Sequence, residues 1–301
     1  MSWRHVVISR PGKLSLNNGN LKIQQEKEDS FIPLEDISSL VIESGRVTVT
    51  SSLLSEMSGS GIAVYFCDKK HIPNGCLLEF NGHSRQIHMI EVQMGLTKPF
   101  CKRLWQAVIQ AKIANQSRVL DHFNPDIKNP LKGLDKHVTS GDRGNLEAVA
   151  ARWYWHGLFG KGFSRRKECI QNACLDYGYS LVRGLVARTL VGFGFFPSIG
   201  IHHCSQLNNF NLADDFLEPF RPAVDGFVRK FVNENKGELG SALRKKLYRI
   251  FAMEVRIRKS VFDLATAVDH VICRFRSACE EQDPSILELP QWIPFRLKRY
   301  E

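Results

Sequence analysis

The chain has 301 residues, of which 43% are hydrophobic and 24% charged, which is ordinary usage for a folded protein and excludes a largely disordered one. This length exceeds that of most single domains, so we expect two. The sequence has no run of about 18 apolar residues, the length that a membrane span requires, and residues 1–12 lack the apolar core of a secretory signal. These patterns predict a cytoplasmic protein.

The net charge of +10 is concentrated in one part of the chain. Residues 1–95 carry nine basic and ten acidic side chains, so the whole basic excess lies in residues 96–301. Lysine and arginine neutralise phosphates and release condensed counterions, and an excess of this kind therefore favours a polyanion such as nucleic acid. A solvated basic surface without a partner explains the charge equally well.

The first 85 residues are predicted to form strands separated by short turns. Asn18-Gly19 is a strong hairpin signal, because both positions accept the positive φ of a type I′ turn. Strands are predicted over residues 3–9, 14–24 on both sides of that turn, 37–42, 46–50, 62–67 and 76–80, with a short helix over 51–58. We therefore expect residues 1–85 to form a small, mainly antiparallel β domain.

Two of these strands, 37–42 and 62–67, are apolar enough to need cover on both faces. An uncovered sheet edge also invites pairing with another strand. We therefore expect the β domain to join two copies of the chain into a homodimer.

From about residue 86 the apolar residues recur at the period of a helix. Helices are predicted over residues 87–94, 99–120, 146–159, 173–191, 212–235, 241–259 and 261–281. Residues 86–301 are accordingly expected to form a larger, all-α domain. The fold class predicted for the whole chain is α+β.

An acidic segment stands out in this otherwise basic domain. Asp215 and Glu218 are three residues apart and would project from one face of a helix, where two like charges repel unless a cation is present. Pro219 ends or kinks the helix directly after Glu218. Asp214 has an ordinary explanation, because negative charge at a helix start is favoured by about 0.3–1 kcal/mol.

Two further segments supply side chains of the same chemistry. The glycine-rich residues 192–203 end on His202 and His203, and a histidine that closes a loop ahead of an acidic helix is typical of a metal ligand or a general base. Glu147 lies at the start of a predicted helix, close to small alanines. A glutamate in a first turn is also a routine partner of the helix dipole.

Four ordered motifs resemble one family over residues 105–225. They are Glu147 with Ala150-Ala151-Arg152, then Asp176-Tyr177-Gly178-Tyr179-Ser180-Leu181, then Gly200-Ile201-His202-His203, then Asp214-Asp215-Phe216-Leu217-Glu218-Pro219-Phe220-Arg221-Pro222. Together they resemble CRISPR-associated protein one, the integrase of CRISPR spacer acquisition. Lys112-Ile113 with Asn115-Gln116, together with the double histidine and Asn211-Leu212-Ala213, looks like the type II branch, which accompanies a large RNA-guided nuclease.

The resemblance implies a metal centre and a reaction. Glu147, His203 and Glu218 resemble the family's catalytic metal ligands, with Asp215 as an additional acidic residue and His202 as a competing choice of histidine. Two carboxylates and an imidazole suit Mg²⁺ or Mn²⁺. The implied reaction is insertion of spacer DNA into a CRISPR array, in which a 3′-hydroxyl attacks a phosphodiester of the repeat.

A site built for a cation should be strained without one. We therefore expect that removing Glu147 or Glu218 raises the stability of the metal-free protein, by relieving repulsion between carboxylates.

Basic side chains near the C-terminus are candidates for binding the DNA backbone. Such runs most often contact phosphates without reading sequence, although a solvated helix face is an alternative. The densest run comprises Arg244, Lys245, Lys246, Arg249, Arg256, Arg258 and Lys259.

The resemblance also implies the partners. Two homodimers would flank a dimer of CRISPR-associated protein two, with double-stranded prespacer and repeat DNA lying across them, and the type II effector nuclease would be a further partner. Two other functions fit the same residues. One is a stand-alone metal-dependent nuclease acting on branched or single-stranded DNA, and the other is a non-catalytic DNA-binding scaffold.

Overall fold

A computed structural model describes residues 4–26, 28–69, 71, 73–77, 85–126, 128–232 and 239–297. The chain divides into two compact units, residues 1–84 and residues 85–299. None of the helices in the described ranges is both long enough and apolar enough to cross a membrane.

Two four-stranded sheets and one helix form the first unit. Its elements are β1 (Arg4–Ile8), β2 (Gly12–Asn17), β3 (Asn20–Gln24), β4 (Asp29–Pro33), β5 (Ile37–Ile42), β6 (Val47–Val49), α1 (Ser51–Gly59), β7 (Ala63–Cys67) and β8 (Pro73–Leu77). The strand orders are β1-β5-β7-β8 and β4-β3-β2-β6. The ends of two predicted strands, residue 3 and residues 78–80, lie outside the described residues.

The predicted hairpin is confirmed at its turn. Asn18 and Gly19 have φ of 48° and 73°, and β2 pairs antiparallel with β3 so that Asn17 faces Asn20. The prediction of a mainly antiparallel domain is wrong. Three strand pairs, β1 with β5, β5 with β7 and β2 with β6, are parallel. Parallel neighbours need a crossover connection, which β6 and α1 supply between β5 and β7.

Residues of the apolar strands β5 and β7 are buried within the single chain. Leu40, Val41 and Val64 are fully buried in the single chain. Their apolar pattern therefore does not require a second copy of the protein, and the homodimer stays a prediction that rests on the family resemblance.

The second unit is mainly helical. Its helices are α2 (Gln86–Met94), α3 (Lys98–Phe123), α4 (Leu146–Phe159), α5 (Ile170–Gly192), α6 (Asn211–Leu217), α7 (Arg221–Val232), α8 (Ser241–Leu247) and α9 (Leu264–Glu281). Helix α5 packs against α6, α7 and α9, while α3 packs against α4 and α7. A single 3₁₀ turn, Glu218–Phe220, separates α6 from α7, as the proline at position 219 predicts.

The predicted α+β fold class is confirmed, but the detail that the second unit is all-α is wrong. A three-stranded antiparallel sheet of order β10-β9-β11 is formed by β9 (Met253–Ile257), β10 (Ser260–Asp263) and β11 (Gln291–Leu297). The predicted helix over 241–259 therefore ends early. In β9 the buried residues Met253, Val255 and Ile257 alternate with more exposed ones, which is the period of a strand within a segment predicted to be helical.

A buried asparagine of α3 fixes the elements around the proline turn. The side-chain amide of Asn115 donates to the carbonyl oxygens of Pro219 (3.1 Å) and Pro290 (2.8 Å). Its Oδ1 accepts from the backbone N–H of Trp292 at 2.9 Å. The turn that follows Glu218 and the start of β11 are thereby both held against α3.

Because Leu40 is fully buried in a central strand, we expect Leu40→Ala to lower the free energy of unfolding by about 2–5 kcal/mol. Urea unfolding measures the change. The control is Thr48→Ala, an exposed position of the same unit, where we expect no more than about 0.5 kcal/mol. Equal losses from both variants would contradict the burial of this strand.

Candidate active site

Glu147 is positioned by the cap of α4. Asp142 precedes the helix, and its carboxylate accepts the backbone N–H of Leu146 (2.9 Å) and of Glu147 (3.0 Å). These are N–H groups that have no partner within the helix, and an acceptor at this end also complements the helix dipole. The cap fixes the first turn, from which the Glu147 side chain projects.

A single carboxylate, that of Asp215, organises the histidine loop. It is fully buried and accepts the backbone N–H groups of Ile201 (2.7 Å), His202 (3.1 Å) and His203 (3.1 Å). Its Oδ1 also lies 2.7 Å from Nδ1 of the His203 ring. Both oxygens of Asp215 are therefore engaged inside the protein, and with the Nδ1 proton directed at Asp215 the remaining ring nitrogen of His203, Nε2, is left as an acceptor.

Glu218 and Glu147 converge on one lysine of α3. The Nζ atom of Lys112 lies 2.6 Å from Oε1 of Glu147 and 2.5 Å from Oε2 of Glu218. On its other side Glu218 accepts from Nε of Arg221, with 2.7 Å between Nε and Oε1. The two carboxylates therefore share a cation, and Glu218 has a second one.

These contacts keep Glu218 and Lys112 ionised. Burial by itself would raise the pKa of Glu218, but the charges of Arg221 and Lys112 outweigh it and lower that pKa to about 2. For Lys112 burial acts to lower the pKa, yet the charges of Glu218 and Glu147 leave it above the usual value. The expected repulsion between the carboxylates is thus absent in this structure, because lysine and arginine neutralise it.

The contact between Lys112 and Glu218 is close but poorly directed. Oε2 of Glu218 is buried and has no hydrogen bond of acceptable geometry, although the ammonium nitrogen is only 2.5 Å away. We describe this contact as an ion pair, since the short distance is compatible with charge attraction and the direction is not that of a hydrogen bond.

The buried Asp225 accepts a hydrogen bond from Tyr179, whose ring packs against Arg221. Asp225 accepts the hydroxyl groups of Tyr154 (3.0 Å) and Tyr179, and burial raises its pKa to about 7 against the opposing effect of these hydroxyls. The guanidinium of Arg221 lies over the Tyr179 ring at 4.4 Å. This network connects α4, α5 and α7 and fixes the arginine that keeps Glu218 charged.

The two histidines have different environments. His202 stacks on Trp105 with ring centroids 4.0 Å apart, and burial lowers its pKa. His203 meets the same indole edge-on at 5.5 Å, and its hydrogen bond to Asp215 raises its pKa. Of the two, His203 has the carboxylate partner that typically orients a metal-binding imidazole, which favours the choice made from the sequence.

The structure brings together two of the three predicted ligands directly. Glu147 and Glu218 meet at Lys112, while His203 is bound to Asp215. Within the described ranges, no three His, Cys, Asp or Glu side chains are spaced as a metal-binding group.

The sequence patterns do not assign Lys112 and Arg221 to the site. A signal for the lysine was present, because Lys112 lies between Ile109 and Ile113 on the buried face of α3. A lysine there needs a charged partner. Arg221 is part of the acidic motif and is followed by a proline, but nothing in the pattern indicates which carboxylate it contacts.

The predicted DNA-binding run does not form one helix face. Arg244 is buried, and its guanidinium donates to the carbonyl oxygen of Leu239 at 2.5 Å, so its assignment to a DNA surface is wrong. The other members are exposed but lie on different elements, with Arg258 paired to Glu288 at 2.9 Å. Those exposed members are Lys245, Lys246, Arg249, Arg256, Arg258 and Lys259.

Solved structures share this fold. A casposase bound to an integration product superposes with a TM-score of 0.77 at 16% identity, covering 93% of this chain and 92% of that one. A Cas6-RT-Cas1–Cas2 complex gives a TM-score of 0.74 at 19% identity, covering 97% of this chain and 36% of that one. The chain therefore has the fold that these structures share.

Sequence similarity identifies the family. The family model described as CRISPR associated protein Cas1 matches residues 6–251. The CRISPR-associated endonuclease Cas1 of Neisseria meningitidis serogroup C (strain 8013) is 36% identical over 304 residues, which cover 100% of both chains. The chain belongs to the Cas1 family.

Because Lys112 and Arg221 neutralise Glu218, we expect the opposite of the effect predicted from carboxylate repulsion. Glu218→Gln should lower the stability of the metal-free protein by about 3–5 kcal/mol, since it leaves two cations short of a buried partner. The pKa of Glu218 falls from 4.5 to about 2 on folding, so its contribution is complete above pH 4.5 and is lost as the pH falls toward 2. Urea unfolding at several pH values measures it.

A matched control for that change is Glu280→Gln. Glu280 forms a partly exposed pair with Arg276 on one helix, and we expect a loss of about 0.5 kcal/mol or less. A more stable Glu218→Gln protein would instead show that carboxylate repulsion dominates the metal-free site.

The hydrogen bond between Asp215 and the His203 ring can be tested by titration. We expect Asp215→Asn to lower the pKa of His203, because this bond is the main cause of its raised value. NMR of the histidine ring protons as a function of pH measures the shift. Asp214→Asn is the control, since Asp214 makes only a weaker electrostatic contribution and is paired with Arg183. An equal shift in both variants would contradict the assigned contact.

Proposed function

We propose that the chain is a metal-dependent DNA integrase that inserts spacer DNA into a CRISPR array, by attack of a 3′-hydroxyl on a phosphodiester of the repeat. The observation that carries this proposal is the convergence of Glu147 and Glu218 on a single cation, with Glu218 close enough to His203 for its charge to raise the pKa of that ring. The casposase that carries an integration product, among the structural neighbours, supports the same reaction class.

The residues that would hold Mg²⁺ or Mn²⁺ are Glu147, His203 and Glu218. Their chemistry fits, because hard divalent ions prefer carboxylate oxygens and accept an imidazole nitrogen. The Oε2 atom of Glu218 already lies against the ammonium group of Lys112, so positive charge is accommodated at this position. When bound, the metal would stabilise the negative charge that develops on the phosphate oxygens during the displacement.

The surrounding side chains have supporting tasks in this proposal. Asp215 holds the ring of His203 through Nδ1, so that Nε2 faces away from it. Arg221 keeps Glu218 ionised. Lys112 has a long flexible stem, and withdrawal of its ammonium group from between the carboxylates would free both of them and leave the ammonium able to contact a substrate phosphate.

We further propose that the protein acts as a homodimer with double-stranded prespacer and repeat DNA and with Cas2. The basic excess of residues 96–301 supports the DNA partner, and the Cas1–Cas2 complex among the structural neighbours supports Cas2. The type II effector nuclease stays a prediction from the motif around Lys112 and Asn115. Lys112 and Asn115 both make contacts within the chain. Their presence in the sequence is therefore weaker evidence for an external partner.

Single substitutions test the metal centre. We expect Glu147→Ala, His203→Ala and Glu218→Ala to abolish strand joining in Mn²⁺ while DNA affinity changes by less than about threefold, because phosphate contacts come from other side chains. His202→Ala, at the neighbouring histidine, should retain joining. Joining and cutting are measured on labelled DNA, with binding and thermal unfolding of each variant alongside.

The outcomes separate the three functions. Metal-dependent cutting without joining would favour the stand-alone nuclease, and neither activity would favour the scaffold. Joining at the wild-type rate by Glu218→Ala, or equal losses from His202→Ala and His203→Ala, would overturn the assignment of the ligands.

A further inference from the structure

The histidine loop, residues 193–210, contains neither helix nor strand, so its backbone polar groups need partners on other elements. It begins after α5 ends at Gly192 and leads to the start of α6 at Asn211. Gly194 has a φ of 85°, a conformation that costs glycine little and other residues more. The shape of the loop therefore depends on the helices that it contacts.

Helix α2 contacts the loop through one buried side chain. Gln93 is 4% exposed, and its Nε2 donates to the carbonyl oxygens of Phe196 (3.0 Å) and Ile199 (2.7 Å). Its Oε1 accepts the backbone N–H of Phe196 at 2.9 Å. Both amide protons and the oxygen of Gln93 are thus used on a segment that lies more than a hundred residues further along the chain.

Helix α6 binds the two residues between these contacts. The carbonyl oxygen of Pro197 accepts the backbone N–H of Leu212 (2.7 Å), and that of Ser198 accepts the side-chain amide of Asn211 (3.0 Å). Of four consecutive carbonyl groups, the outer two therefore bond to α2 and the inner two bond to α6. Residues 196–199, the linking segment, tie the two helices together.

The linking segment leads directly to His203 through a turn that has no spare room. A Cβ atom at Gly200 would clash with the carbonyl oxygen of His203 and lie 2.8 Å from Oδ2 of Asp215. Only glycine allows this close approach. The next three backbone N–H groups bond to Asp215. A displacement of the linking segment would consequently reach the backbone that carries the His203 ring.

We propose that Gln93 is a positioning residue for the reaction, which acts through the linking segment to hold His203 in the arrangement that the candidate metal centre requires. Asp215 orients the ring of His203, and Gln93 fixes the backbone that precedes it. This inference rests on the proposed role of His203 as a ligand. It adds to the site a residue of α2, a helix that carries none of the candidate ligands.

Hydrogen exchange of backbone amides tests the hold on the loop without metal or DNA. Gln93→Leu removes the three hydrogen bonds and leaves the partners of Gln93 unsatisfied. We expect protection of the N–H groups of residues 201–203 to fall by about 5- to 150-fold, while the fully buried Val186 of α5 keeps its protection. Residues 201–203 report transmission of the change, because their own acceptor, Asp215, is untouched.

Gln93→Glu distinguishes a hold on the loop from a general loss of stability. A carboxyl group at this position can still accept the N–H of Phe196. In its neutral form it can also donate to one of the two carbonyl oxygens, whereas its ionised form repels both. Burial favours the neutral form, so we expect protection of residues 201–203, relative to the wild type, to be higher at about pH 5 than at about pH 8.

Strand joining in Mn²⁺ tests the consequence for the reaction. We expect Gln93→Leu to lower the rate constant of joining by about 10- to 100-fold, because small errors in the position of a reacting group are costly, with DNA affinity unchanged.

Gln106→Leu is the matched control for the exchange measurement. Gln106 lies on α3, and its Nε2 likewise donates to a loop carbonyl, that of Val138, at 2.7 Å. Its substitution should leave the protection of residues 201–203 unchanged. Thermal unfolding of each variant accompanies the measurement.

Unchanged protection of residues 201–203 in the Gln93→Leu protein would overturn the proposal. An equal fall in the loop and in α5 would do the same, because it would show a loss of overall stability. Normal joining by a Gln93→Leu protein whose loop exchanges faster would also contradict a role in the reaction. If the wild type joins no strands, the proposed function fails, whereas the exchange result still decides whether Gln93 holds the loop.

Discussion

Two ionised carboxylates can approach each other away from water only where positive charge offsets their repulsion. In this protein that charge is the ammonium group of Lys112, which is 2.6 Å from Glu147 and 2.5 Å from Glu218. Removing one partner of such a buried group typically costs about 3–5 kcal/mol, so the arrangement constrains every element that carries one of its members. Helix α3 packs against α4 and against the turn that begins at Glu218, and in this position its Lys112 reaches both carboxylates.

Helix α3 satisfies that requirement with two polar side chains on one buried face. Lys112 neutralises the carboxylates, and Asn115, three residues further, holds the carbonyl of Pro219. The proline prevents α6 from continuing, and the asparagine fixes where the chain goes after the break. Glu218 therefore lies at a break between two helices. At that break, Asn115 of α3 donates a hydrogen bond to the carbonyl group of Pro219.

The sequence predicts those parts of the fold that depend on local chemistry. The Asn18-Gly19 turn and the strand Ile37–Ile42 agree with the structure, because turn preferences and buried apolar runs act over a few residues. The helix predicted over 241–259 does not, since β9 gains its stability from pairing with β10 and with β11, and β11 lies more than thirty residues further on. Parallel pairing of β1 with β5 is likewise a long-range property that no local pattern records.

The same distinction applies to the site. Glu147, His203 and Glu218 were predicted from a family resemblance, whereas the task of Asp215 was not, because a carboxylate that accepts three backbone N–H groups has the same sequence pattern as one that faces a ligand. The contacts distinguish the lysine that would move from the side chains that hold the candidate ligands in place. If Lys112 withdraws, Glu147 keeps the helix cap of Asp142 beneath it, Glu218 keeps Arg221, and His203 keeps Asp215. A divalent cation could then take the place of the ammonium group with movement of one flexible side chain, while the residues that hold its candidate ligands stay in position.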